Sequence, residues 1–356
     1  MAREWLIEPL DTLFFRGGEP FGMGDGGWLM SIFPPTPQTV QGIVRGGVLQ
    51  LHCRDLDTFR KGNCGTCTKC NVHGAIGSHE DCDLGKIDLY GPYLVKGDTR
   101  YYPTPLDLVR EKSDKTKIYA LAPSDKAIEC DLGTMRFPTL PSGADFGAVE
   151  SVGGWISEAA LNKYLDGSDA PAADKLLDDE EFFKPEPRVG LKRNHATHHA
   201  EDGMLYSISP LRFRDDVRLG VRVEGIDELM VPGDFAMKIG GEGRPCKIEV
   251  ITPKEQPFPH GPVLGAIKLV FLQPADLGGG WKPTGSWGAM VSACTGRPQR
   301  IGGWNLVNGS KPMRSCVPAG SVYYFEDGQA IGEREGKTGE KKNIGFGHYR
   351  LGRWKS

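Results

Sequence analysis

The 356-residue sequence has no uninterrupted apolar run near the ~18 residues that a membrane helix needs. Its best approach, Val263 to Leu272, is broken by Lys268. The opening Met1-Ala2-Arg3-Glu4-Trp5 carries no apolar segment of the secretory kind, so a cytoplasmic protein without a membrane partner is expected. A dominant charge is missing as well. With 43 Lys and Arg against 46 Asp and Glu the net charge is −3, which excludes a bulk polycation and leaves only local basic strips for any polyanion. No G-x-x-x-x-G-K-S/T loop, no G-x-S-x-G elbow and no dinucleotide fingerprint in a βαβ context occurs. P-loop nucleotide hydrolysis, α/β-hydrolase chemistry and Rossmann-type redox chemistry therefore have no sequence support.

What is present in excess is glycine (49) and proline (26), which implies many turns and close backbone approaches and disfavours a helical bundle. Glu4 to Glu8 reads as an opening strand stopped by Pro9. A helix is expected from Pro37, with Thr36 as N-cap, proline at the first helical position and an apolar stripe of Val40, Ile43, Val44, Val48 and Leu51. Gly42, Gly46 and Gly47 weaken that helix by about 1 kcal/mol each relative to alanine, which is tolerable if it lies close against a sheet. A second, short helix runs from the cap Ser157 to the terminator Gly167, and the acidic stretch 166–186 then reads as a solvated connector. From Gly203 onward the texture is strand-like. Val217, Leu219, Val221 and Val223 alternate with Arg218, Gly220 and Arg222, the pattern of a half-buried strand with arginines on its open face. Cys246 to Thr252, Gly265 to Leu272 and Ser321 to Phe325 continue the β pattern.

Three kinds of segment carry possible chemistry. Cys64, Cys67, Cys70 and Cys82 fall within nineteen residues, in an insertion at about 53–85. Their short spacing suits a tetrahedral structural zinc, with His73 or His79 able to replace one thiolate; an iron–sulfur cluster or a metal-free loop are the competitors. The other five cysteines are scattered and the total is odd, which speaks against a disulfide framework. Lys192, Arg193, His195, His198, His199 and Glu201 combine cations, imidazoles and a carboxylate, so phosphate binding, metal ligation or histidine acid–base cleavage of RNA all remain open, beside a plain polar loop. The third kind is glycine-rich: Arg16-Gly17-Gly18, the segment from Gly240 to Arg244, and the closing Gly345-Phe346-Gly347-His348-Tyr349-Arg350. Glycine lets a phosphodiester approach main-chain N–H groups, arginine adds charge, and aromatic rings stack bases. An ordinary β-turn explains any one of these, but their recurrence favours RNA.

Several segments together resemble a known family. They are Trp5 to Gly18, the proline-rich helix start Phe33 to Arg45, Arg300-Ile301-Gly302-Gly303-Trp304-Asn305-Leu306, and Gly345-Phe346-Gly347. The family is the third subunit of the Cmr complex, the type III-B CRISPR RNA-guided effector, within the RAMP superfamily. Residues 53–85 and 158–187 match no general feature of it. The resemblance implies an α+β fold of two ferredoxin-like (RRM-like) RAMP modules with a Cys-rich insertion. The expected divisions are 1–150, a helix and acidic connector at 151–200, and 201–356. The resemblance also implies a role without catalysis: gripping the 5′ tag of the guide RNA, docking the large polymerase-like subunit and touching the backbone subunits, with target RNA nearby. The residues expected to hold RNA are Arg16, Gly17, Gly18, Arg45, Lys192, Arg193, His195, Gly345, Phe346, Gly347, His348, Tyr349 and Arg350. In the enzymatic alternative, a RAMP-type endoribonuclease trims guide precursors with His195, His198 or His348 as acid or base. A third alternative is a purely architectural subunit.

Overall fold

The computed structural model describes residues 2–18, 28–63, 70–77, 85–141, 144–194, 196–227, 229, 231–240, 243–253, 261–305 and 309–354. It is β-rich with few helices, arranged around two antiparallel sheets. The first sheet is built from β1 (Arg3–Pro9), β2 (Asp88–Lys96), β3 (Thr99–Pro103), β4 (Trp155–Ser157), β5 (Leu176–Leu177), β6 (Val217–Glu224), β7 (Asp234–Ile239) and β8 (Arg244–Ile251). Their order across the sheet is β5-β4-β3-β2-β6-β1-β8-β7. The central strand β1 pairs Trp5 with Val221 of β6 on one side and with Val250 of β8 on the other. The second sheet contains β9 (Val263–Phe271), β10 (Ala289–Cys294), β11 (Val322–Ile331), β12 (Glu335–Lys337) and β13 (His348–Arg353), in the order β10-β11-β9-β13-β12.

Helix α1 (Pro37–His52) starts as its sequence demands: the Thr36 side chain accepts a hydrogen bond from Thr39 N, and proline occupies the first turn. Val40, Ile43, Val44 and Val48 are buried on the first sheet among Trp5, Ile7, Leu89, Leu219 and Val221. The glycines on this helix have an identifiable use. A Cβ on Gly47 would stand 2.8 Å from Cζ3 of Trp5, so only glycine lets the helix lie this close to β1. Gly42, by contrast, faces open space.

The other face of the first sheet meets the second sheet. Leu6, Tyr93, Val95 and Tyr102 pack with Val270, Leu272, Val322, Tyr324 and Trp354, and with Leu161, Tyr164 and Leu165 of α2 (Glu158–Leu165). Beneath this apolar layer runs a chain of alternating charges. Arg100 donates to Glu4 at 2.8 Å and to Glu158 at 3.4 Å, Arg350 donates to Glu158 at 2.7 Å and to Glu335 at 3.1 Å, and Arg222 reaches Glu335 at 3.3 Å. Each buried charge has an opposite neighbour, the condition under which burial is tolerated.

Residues 217–251 belong to the first sheet with β1 and β2. Two expectations from the sequence are corrected. The acidic stretch is not merely solvated: Phe182 and Phe183 are buried, and Asp179 accepts a hydrogen bond from Trp155 Nε1 at 2.8 Å. The arginine face of β6 is not open either, because Arg222 lies 3.8 Å over the Tyr90 ring and Arg218 pairs with Glu249 at 2.7 Å.

Candidate nucleic-acid interface

Four segments that are remote in sequence meet at the amino end of α1. A hairpin of Gln299–Asn305 paired with Gly309–Cys316 is rooted by Ile301 and Cys316, which form a buried cluster with Ile344 and Phe346 of the closing segment. The Gly345 backbone passes directly under the helix start, where a Cβ would lie 2.9 Å from the Gly91 carbonyl oxygen and 3.4 Å from Pro37 Cβ. Gly303 faces the Gln38 side chain, which occupies the space a Cβ on it would take. On the outer side, Gly18 abuts the hairpin, with the Arg300 carbonyl 3.2 Å from its Cβ position, while Ile32 N donates to the Phe15 carbonyl at 2.9 Å to hold the Arg16 loop in place.

The surface so formed carries cations. Arg16, Arg300, Arg314 and Lys342 are exposed on it. Arg314 also pairs with the buried Asp276 at 2.8 Å. Trp304 stands on the hairpin with 70% of its surface exposed, the most exposed large apolar side chain among the described residues. Neither Arg300 nor Trp304 is among the residues expected to hold RNA. Their signal is nevertheless in the sequence, because Arg300-Ile301-Gly302-Gly303-Trp304 has the same cation–glycine–aromatic composition as the closing segment 345–350.

The closing segment lies largely in the interior. Phe346, His348 and Arg350 are buried at 2%, 2% and 5% exposure. Phe346 fills the cluster under the hairpin. Arg350 donates to Glu158, to Asn162 Oδ1 at 2.9 Å and to Glu335, so its charge belongs to the interior. His348 Nε2 lies 2.9 Å from Glu335 Oε1; burial lowers its pKa, with Glu335 opposing. Burial alone would raise Glu335, but the hydrogen bond with His348 and the charges of Arg350 and Arg222 hold it well below the usual carboxylate range. Tyr349 packs edge-on against Trp287 at 5.4 Å. Even the glycine amides are engaged: Gly345 N donates to the Lys342 carbonyl at 3.0 Å and Gly347 N to Pro274 at 2.8 Å. This segment supports the surface from beneath, with Phe346, His348, Arg350 and these two amides engaged in the interior.

The remaining expected residues lie elsewhere. Arg45 is about 10 Å further along α1 than Gln38, with its guanidinium 5.8 Å from the Phe59 ring. Lys192 and Arg193 are on the strand Arg188–Arg193, which pairs with Ala200–Ser209 beside Trp28–Met30; their side chains, and His195 altogether, are outside the described residues. Of the four clustered cysteines only Cys70 is described, half-buried and packed against the first core, whereas Cys64, Cys67 and Cys82 lie outside the described residues. No helix among the described residues is long and apolar enough to cross a membrane.

Solved structures of Type III-B Cmr-beta are among those that resemble the chain. One is a cryo-EM structure of the Type III-B Cmr-beta bound to cognate target RNA and AMPPnP, in state 1, with a TM-score of 0.52 at 15% identity over 90% of this chain and 86% of that one. Another, the Type III-B Cmr-beta bound to cognate target RNA, gives a TM-score of 0.51 at 16% identity over 90% and 86%. At such identities the likeness carries the fold. No curated protein matches the sequence. The family model for CRISPR-associated protein (Cas_Cmr3) matches residues 5–354, a span that includes all four segments converging on the amino end of α1, and the chain belongs to that family.

Proposed function

We propose that the protein is an RNA-holding, non-catalytic subunit of a type III-B CRISPR effector. In this reading it grips the 5′ tag of the guide RNA and docks the large polymerase-like subunit and the backbone subunits, with target RNA passing nearby. The observation that carries the reading is the convergence of Arg16 to Gly18, Thr36 to Gln38, Arg300 to Trp304 and Ile344 to Phe346 on one cationic surface. A near-neutral chain with one such surface suits a subunit that holds RNA inside an assembly better than a free RNA binder. The two similar structures, both of Type III-B Cmr-beta bound to cognate target RNA, agree with it.

The same reading takes the fold as two ferredoxin-like modules. Strands β2-β6-β1-β8 and β10-β11-β9-β13 each follow the second–third–first–fourth order of a ferredoxin-like sheet, which supports modules at 3–251 and 263–353. It also takes Cys64, Cys67, Cys70 and Cys82 as ligands of a structural zinc, which about one equivalent of metal per purified chain by elemental analysis supports and its absence refutes. A closed four-thiolate site has no open position for catalysis.

The grip is tested by titrating single-stranded tag RNA against the complex at increasing salt. Removing the cation from one phosphate lowers the salt slope by about 0.7. Arg16→Gln combined with Arg300→Gln is expected to lower it by about 1.4. An unchanged slope and midpoint would leave the architectural alternative standing, and cleavage of repeat RNA by the protein alone would favour the endoribonuclease.

A further inference from the structure

Trp304 is the side chain whose position the fold itself does least to explain. A ring with 70% of its surface in water contributes little to the core, yet the strand that carries it is firmly held. Ile301, three residues earlier, is buried with Ile344 and Phe346, and Gly303 is pressed against Gln38 of α1. Successive residues of a strand point to opposite faces, so with Gly303 turned to the helix Trp304 is turned away from it. Its cross-strand partner is the small Ser310, and Gly309 beside it would bring a Cβ no closer than 4.0 Å to the ring. Among the described residues, Gly309 and Ser310 lie across the strand from the ring, and Arg300, Arg314 and Lys342 are exposed around the base of the hairpin.

We propose that Trp304 is a stacking platform for one unpaired base of the single-stranded RNA held at the amino end of α1. This rests on the proposed RNA grip and deepens it, because the cations there neutralise a backbone without distinguishing where a base should lie. A base has a π-face of any sequence and stacks on an indole ring. The small Gly309 and Ser310 on the paired strand leave room for it there, and exposed cations attract the phosphates on either side. A hydrophobic pocket of a protein partner would also accept an indole, but the cationic surround favours a polyanion that carries rings.

The test uses the complete chain and a single-stranded RNA carrying a fluorescent purine analogue at successive positions. The analogue is expected to be quenched at one position by the wild type and at none by Trp304→Leu, which keeps an apolar side chain without a stacking face. Affinity should fall about 5- to 150-fold in Trp304→Ala and Trp304→Leu, and much less in Trp304→Phe. The salt slope should stay at the wild-type value in all three, since no charge is removed. Circular dichroism melts check that the exposed substitutions leave folding intact. Wild-type affinity in Trp304→Leu overturns the stacking role. If Arg16→Gln with Arg300→Gln still lowers the slope in that case, the RNA grip stands without it; if that variant is also silent, both fall. Unaltered RNA affinity together with lost association with the large subunit would show a protein-docking ring and equally overturn the proposal.

Discussion

Arg350 separates an internal clasp from an RNA contact, because the two roles respond oppositely to one substitution. In the structure its guanidinium lies 2.7 Å from Glu158, 2.9 Å from Asn162 and 3.1 Å from Glu335, with 6% of the side chain exposed. Arg350→Met preserves much of the volume and removes the charge. Breaking a buried pair by removing one partner costs about 3–5 kcal/mol, since the other charge is left in the interior. Here the low end applies. Glu158 keeps Arg100 at 3.4 Å, and Glu335 keeps His348 at 2.9 Å and Arg222 at 3.3 Å. A loss of about 3 kcal/mol corresponds to a fall of roughly 6–12 °C in melting temperature for a domain of 150–250 residues. Scanning calorimetry measures the fall, and salt titration of RNA binding below the melting range measures the contact. The clasp predicts the temperature drop with an unaltered salt slope. A variant that melts with the wild type while its slope falls by about 0.7 would show that Arg350 meets a phosphate, and would refute the reasoning.

Acid should destabilise the protein in two steps. His348 is held neutral by burial, so an unfolded chain that protonates near pH 6.5 binds more protons than the folded one, and stability falls as pH drops below that value. Glu335, held below its usual range when folded, adds a loss that begins below about pH 4.3. His348→Gln keeps a donor for Glu335 without titrating, and its melting temperature should decline less than the wild type's between about pH 7 and pH 5; parallel declines would contradict the assignment. Gly42→Ala should stabilise α1 by about 1 kcal/mol because the site is open, whereas Gly47→Ala should destabilise, overpacking at Trp5 of about 1–3 kcal/mol exceeding that gain; denaturant midpoints that move the same way would refute the pairing. Gly345→Ala should weaken RNA binding without changing its salt slope, because φ of +105° and the 2.9 Å approach to the Gly91 oxygen force the hairpin root to shift; wild-type affinity would show that the hairpin does not depend on this glycine.

Local rules are legible in the sequence wherever one element decides its own shape. Thr36 and Pro37 mark the start of α1, Ser157 caps α2, and alternation over Val217 to Val223 marks β6. What cannot be read is which elements become neighbours. One partner of β6 is β1, more than two hundred residues away, and no local pattern states that pairing. The arginines of β6 look solvent-facing in the sequence because period-two alternation tells which face is apolar, not whether the other face is covered. The stretch 166–186 looks solvated because its charges outnumber the two phenylalanines that anchor it.

The glycine segment at 345–350 shows the same limit at the site itself. Cation, glycine and aromatic residues in one short stretch suit a phosphate loop and a tight internal clasp equally, since both need a backbone free of Cβ atoms and both bring opposite charge close. The difference is made by Glu335, the cross-strand partner of Arg350 within the second sheet, and by Glu158 of α2, far away in sequence, which lies beside Arg350 only once the helix has packed there. With that charge balanced inside, the role left to the segment is geometric: Ile344 and Phe346 hold Ile301 and Cys316, and the hairpin they root carries Arg300 and Trp304 outward beside Arg16. The chemistry is displaced from the motif to the element that the motif supports.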